Sequence, residues 1–200
     1  GTGSGAGYGF MPDFRTYALL TVWEDRELAR RFESDASEMQ AFREKTDEVY
    51  SIFLRPIRSK GIWSGTAPFS IAEPDPGNPL VVVLTRATLK VRYYIPFWKR
   101  VRKVSDSHVG ASGLIFSKGV GERPWIMQAT FTAWESTEHM ESFAHTRGNR
   151  HQEAIATTRR LKGFREELYA RFQPLETRGT WKGTDPVGEY MELVGTGHIQ

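Results

Sequence analysis

The chain has 200 residues, 39% of them hydrophobic and 12% aromatic, enough apolar material for a packed core and too much for a disordered or fibrous protein. It has no apolar run near 18 residues, no visible leader pattern and no cysteine, which argues against a membrane-spanning helix, a secreted disulfide scaffold, zinc–thiolate centres and cysteine nucleophiles. Lys and Arg number 27 against 24 Asp and Glu; the net charge of +3 permits anionic partners without arguing for nucleic acid, and a cytoplasmic location is the default.

The glycine-rich opening reads as a strand or turn. Gly1-x-Gly3-x-x-Ala6 follows a dinucleotide loop only distantly, because Met11-Pro12 stands where the helix would begin. Tyr17–Trp23 reads as a strand, and the acidic residues after it open a helix over Asp25–Phe42, where they suit the positive end of its dipole. Val49–Leu54 is a strand, followed by a Gly61-x-Trp63-x-Gly65 loop. Residues 74–79, rich in Pro, Gly and Asn, form a linker. Leu80–Leu84 is a β-branched strand, Phe97–Val104 a short helix, and Leu114–Ser117 and Met127–Trp134 are strands. A long helix spans Ser136–Lys162 with a break near Gly148; a strand Leu168–Phe172 and a Gly179-x-Trp181-x-Gly183 loop follow, and 184–200 reads as a tail.

Self-similarity organises these elements. Ala18, Thr21, Trp23, Glu24, Glu27 and Phe32 recur as Ala129, Thr132, Trp134, Glu135, Glu138 and Phe143 at a constant offset of 111. Tyr50-x-x-Phe53 matches Tyr169-x-x-Phe172 at 119, and the two Gly-x-Trp-x-Gly loops match at 118. The second half reads β-α-β-β-α-β, and the first shows only the last β-β-α-β. The expected fold is therefore α+β: two fused ferredoxin-like repeats forming an α+β barrel, the first (1–73) lacking its opening strand and helix, the second spanning 80–183. Comparison with Pro79–Gly113 leads us to expect about 35–45 residues upstream.

The offset grows by eight between Phe32/Phe143 and Tyr50/Tyr169, so the second repeat carries extra residues around His145, Arg147, Gly148, Asn149, Arg150 and His151. His151, Ala154, Ile155, Thr158 and Leu161 share one helical face. A histidine there is either a core or surface residue with a satisfied hydrogen bond, or an axial ligand with Ala154 leaving room for a flat macrocycle. His145 is the second choice. No His-Glu-x-x-His pattern supports zinc and no Gly-x-Ser-x-Gly elbow supports a serine triad. With haem bound, Arg147, Arg150 or Arg86 would pair with its propionates. Trp98 and Phe131 belong to an aromatic set that is either core or pocket wall. The run from Lys99 to Lys103 reads as a solvated face before it reads as a nucleic-acid or phospholipid contact.

Several stretches together resemble the spheroidene monooxygenase family of haem-containing, carotenoid-oxidising enzymes. They include Gly61-Ile-Trp63-Ser-Gly65-Thr-Ala-Pro68-Phe69, Leu84-Thr-Arg86-Ala-Thr88, Lys118-Gly-Val-Gly121-Glu122, Gln128-Ala-Thr-Phe131 and Phe164-Arg-Glu-Glu-Leu-Tyr169-Ala-Arg-Phe172. The family carries a histidine thirteen residues before the Phe of Phe-x-Glu-Glu-Leu, and His151 holds that place; Lys162-Gly163 replaces the family's usual Gly-Trp. The resemblance implies haem b with His151 as iron ligand, O₂ and an apolar substrate such as an acyclic carotenoid, with Arg86, Lys118 and Gln128 as candidates to polarise bound oxygen. It leaves open membrane-surface contact, self-association, a related barrel acting on a nitrogen-containing small molecule, as in aldoxime dehydration, and a haem-free barrel that binds an apolar ligand.

Overall fold

The computed structural model describes residues 2–3, 13–101, 111–123, 125–145, 156–157 and 159–196. Among the described residues seven strands form one sheet: β1 (Thr2–Gly3), β2 (Asp13–Tyr17), β3 (Tyr50–Gly61), β4 (Val81–Leu89), β5 (Leu114–Arg123), β6 (Met127–Trp134) and β7 (Phe164–Gly179), in the order β2-β1-β5-β6-β4-β7-β3. All pairings are antiparallel. Among the described residues the longer helices are α1 (Arg26–Asp35), α2 (Ser37–Arg43), α3 (Tyr94–Val101, preceded by a 3-10 turn at Val91–Tyr93), α4 (Thr137–His145) and α5 (Pro186–Gly195).

The second repeat is ferredoxin-like: β4-α3-β5-β6-α4-β7, with β5-β6-β4-β7 as neighbours. β4 sits in the centre, and its continuous run Val81-Val-Val-Leu84 is buried on both faces. β1 and β2 flank the repeat on the β5 side and β3 flanks it on the β7 side. Among the described residues the sheet stays open between β2 and β3. In the second repeat the equivalent strands, β6 and β7, are joined by β4.

The duplication is visible in packing. Trp23 and Phe32 stack at 5.1 Å and 42°, and their counterparts Trp134 and Phe143 at 5.1 Å and 39°. Each last strand ends in a glycine with positive φ, Gly61 (101°) and Gly179 (73°), where a Cβ would run into the carbonyl oxygen of Glu167 or Val49. Each glycine leads into a two-residue turn with positive φ at both positions, Ser64-Gly65 and Lys182-Gly183, closed by Trp63–Thr66 and Trp181–Thr184 bridges. Both strands also bulge just past a proline, Pro56 and Pro174, which cannot donate to a ladder.

Register corrects one alignment. Tyr50 pairs with Gly179 and Leu168 with Gly61, so the structural offset along β3 and β7 is 118 throughout, and Tyr50 corresponds to Leu168 rather than Tyr169. A one-residue slip reverses the face. Tyr50 packs on the inner face with Val82, Leu84 and Phe172, whereas Tyr169 packs on the outer face with Val83, Trp134 and Met140 of α4.

Several elements differ from the sequence reading. β2 ends at Tyr17, so the expected strand Tyr17–Trp23 does not form. The helix expected over Asp25–Phe42 breaks at the extended Ala36 into α1 and α2. β3, β4, β5 and β7 extend well beyond the apolar runs that revealed them. The expected tail contains α5, whose Val187 and Met191 pack on the inner face. The linker is clasped: Gln173, buried on β7, accepts from the Asp75 amide and donates to the carbonyls of Asp75 and Asn78.

Candidate functional site

Alternation along β4 places Val82, Leu84, Arg86 and Thr88 on the inner face. The register brings Phe172, Ala170, Leu168 and Glu166 of β7, and Ala133, Phe131, Ala129 and Met127 of β6, beside them. Phe69 stacks edge-on against Phe172 at 5.0 Å, and α5 covers part of this face. α5 is anchored through Asp185, which accepts from Tyr50 Oη at 2.7 Å and from the Gly188 amide at 2.8 Å. The Val187 amide donates to Tyr50 Oη at 3.1 Å. Burial, and then the neighbouring Asp185 carboxylate, push the Tyr50 hydroxyl pKa well above its ordinary value.

Polar groups gather at one end. Arg86 is 2% exposed. Its Nε and Nη2 donate to Glu122 at 3.0 and 2.7 Å, and its Nη1 to Glu166 at 2.6 Å. The guanidinium lies 4.6 Å from the Trp63 ring, whose Nε1 donates to Glu122 at 3.0 Å. Glu166 also receives the Ser64 and Gly65 amides, both at 3.0 Å. The Ser64 amide first, and then Arg86, hold its carboxyl below the ordinary range. Thr88 is buried on the same face with its hydroxyl unpartnered. The pseudo-equivalent turn repeats the arrangement: Glu48 receives the Lys182 and Gly183 amides at 2.6 and 2.7 Å, and Lys118 Nζ lies 5.5 Å from the Trp181 ring and 3.4 Å from Asp13.

The candidate residues divide by face. Arg86, Lys118 and Phe131 share the inner face, where Lys118 is cross-strand to Phe131. Gln128 pairs with Ala87 and Gly121 and so lies on the opposite face, away from Arg86 and Lys118. Trp98 is buried on α3, where its Nε1 donates to the Trp125 carbonyl at 3.0 Å, a different packing group from that of Phe131. His151, Arg147, Arg150 and Ala154 lie outside the described residues. The sequence reading overlooked Glu122, Glu166, Trp63, Tyr50 and Asp185 as members of this site. The Glu48/Glu166 match at offset 118 was the available signal.

Donor chemistry limits where a metal group can be held. No cluster of three His, Cys, Asp or Glu side chains occurs among the described residues. His139 and His145 lie on α4, on the outer side of the sheet, and the His139 ring fills the space beside Gly113. An imidazole on the inner face would come from His108, His151 or His198, all outside the described residues.

No family model matches the chain. Three curated relatives do, each called spheroidene monooxygenase. That of Cereibacter sphaeroides is 39% identical over 94% of this chain and 58% of its own length. That of Rhodobacter capsulatus is 37% identical over 94% and 78%, and that of Rubrivivax gelatinosus 33% over 92% and 70%. The chain thus spans somewhat more than half of the Cereibacter sphaeroides relative. Sustained identity across at least two thirds of the other two shows that the chain belongs to the spheroidene monooxygenase family.

Proposed function

We propose that this chain is a haem-dependent monooxygenase that oxygenates an apolar substrate such as an acyclic carotenoid. The observation that carries the reading is its membership in a family whose curated relatives are named spheroidene monooxygenase. The apolar inner face supports an apolar substrate, with the half-buried Phe116 and Phe131 standing beside the core of Leu84 and Phe172. In this reading His151 ligates the iron of haem b, Ala154 leaves room beside the ring, and Arg147 and Arg150 pair with its propionates. Haem, when bound, supplies the redox centre for O₂.

The chain's own groups then take distinct parts. The Arg86 donors that reach Glu122 and Glu166 are committed, so Arg86 acts as a positioning residue that fixes Trp63. Lys118, beside Phe131 and paired with Asp13, is the inner-face candidate to polarise bound oxygen. The apolar strands exclude water from the reacting centre.

The test is the absorption spectrum of haem-supplemented protein and of His151→Ala. The reading expects a Soret band in the parent and its loss or shift in the variant. An unchanged spectrum removes His151 as ligand, and no Soret band in the parent removes haem. Carotenoid profiling in a polyene-producing host tests the substrate: an oxygenated end group supports it and unaltered polyenes refute it.

A further inference from the structure

Three segments meet at one end of the second repeat. The Leu89 amide donates to the Ile126 carbonyl and the Lys90 amide to the Gly163 carbonyl, both at 2.9 Å. Trp98 Nε1 reaches the Trp125 carbonyl at 3.0 Å, and the Phe97 and Phe164 rings lie 6.1 Å apart. These contacts join the β4–α3 junction, the β5–β6 turn and the approach to β7 into one surface.

That surface is apolar and basic together. Val91 is 82% and Ile95 63% exposed, and they stand one helical turn apart. Trp125, Ile126 and Leu161, in the segments joined to this one by those contacts, are exposed as well. Stretches 89–101, 123–126 and 159–165 contain no Asp or Glu, but include Arg92, Lys99, Arg123, Lys162 and Arg165, all exposed. The other exposed apolar stretch, Phe14–Leu28, differs in charge, since Glu24, Asp25 and Glu27 lie within it.

We propose that this end of the molecule docks on an anionic lipid bilayer, with Val91, Ile95, Trp125 and Ile126 entering the interface and the basic side chains facing lipid headgroups. The charge complementarity selects a lipid surface. Apolar side chains alone would equally suit a second copy of the chain, but the flanking carboxylates Glu122, Glu166 and Glu167 are already paired with Arg86 and Arg159, and the remaining cationic rim repels its own copy. The proposal stands apart from the haem reading, because it needs neither cofactor nor turnover.

The test is cosedimentation of the chain with phosphatidylcholine vesicles and with vesicles containing about 30% phosphatidylglycerol, at low and high salt. Binding is expected to the anionic vesicles only and to weaken with salt as the charges are screened. Each basic residue removed is expected to lower the partition coefficient about fivefold, so Arg92→Gln/Lys99→Gln loses about 25-fold. Val91→Glu/Ile95→Glu is expected to abolish binding. These exposed sites leave the core intact, which an unchanged thermal transition verifies. Absence of vesicle binding, binding indifferent to these variants, or self-association that Val91→Glu/Ile95→Glu removes would each overturn the proposal. So would equal binding of the parent chain to neutral vesicles.

Discussion

Arg86→Met isolates the physics of the inner-face charge cluster. The substitution keeps an unbranched apolar stem and removes a guanidinium that bonds two carboxylates. Removing one partner of a buried ion pair costs about 3–5 kcal/mol. The lower end applies here, because Glu122 is 37% exposed and water can replace part of what it loses, while Glu166, 15% exposed, keeps the Ser64 and Gly65 amides. The expected loss is about 3 kcal/mol, or about 6–12 °C in Tm for a chain of this size. Urea denaturation of Arg86→Met, Glu166→Gln and the double variant supplies the measurement, and the two sites should couple by more than about 1 kcal/mol. The pH dependence follows from Glu166. Its folded pKa is depressed, so its contribution is complete above about pH 5 and is lost as pH falls through the folded value. Arg86→Met should flatten that acid limb. A loss under about 1 kcal/mol with additive single effects would refute the account.

Gly61→Ala and Gly179→Ala should each cost more than about 2 kcal/mol, since left-handed strain adds to collision with the Glu167 or Val49 carbonyl. Gly65→Ala meets open space and should cost only about 1 kcal/mol, which thermal denaturation of the three variants checks. Tyr50→Phe removes the hydroxyl shared by Asp185 and the Val187 amide and should cost about 1–3 kcal/mol, with hydrogen exchange rising first in α5.

The second repeat was legible because its signals are local: apolar runs bounded by Gly and Pro, and Met127–Trp134 was placed to the residue. The duplication was legible because Trp, Gly and Glu recur at fixed spacing. Strand ends were not, since β7 runs beyond the apolar run Leu168–Phe172 through Glu166, Glu167, Glu176 and Arg178, charged residues whose partners are Arg86 on β4, Arg159, and Arg30 and Glu33 on α1. The face of Gln128 was not legible because it depends on strand parity, which a motif spelled in sequence does not convey. Glu122 was hidden because its role exists only when β5 stands near Arg86 on β4, 36 residues away in sequence.

Leu19–Trp23 shows why strand formation depends on partners as much as on local sequence. Its counterparts at offset 111 lie in β6, where β4 and β5 pair on either side and Trp134 is buried. Leu20, Val22 and Trp23 are apolar like their counterparts Phe131, Ala133 and Trp134, yet they form no described strand and are 43%, 54% and 40% exposed. β propensity measures fit to a pleated, half-buried surface, and that surface forms only when a neighbouring strand supplies it. The side of this segment that corresponds to the β4 side of β6 meets no strand among the described residues. Amide exchange should therefore be orders of magnitude faster over residues 19–23 than over 130–134, whose protection should approach that of global unfolding. Equal protection of the two stretches would show that the apolar sequence pairs without a β4-like neighbour, and would refute the argument.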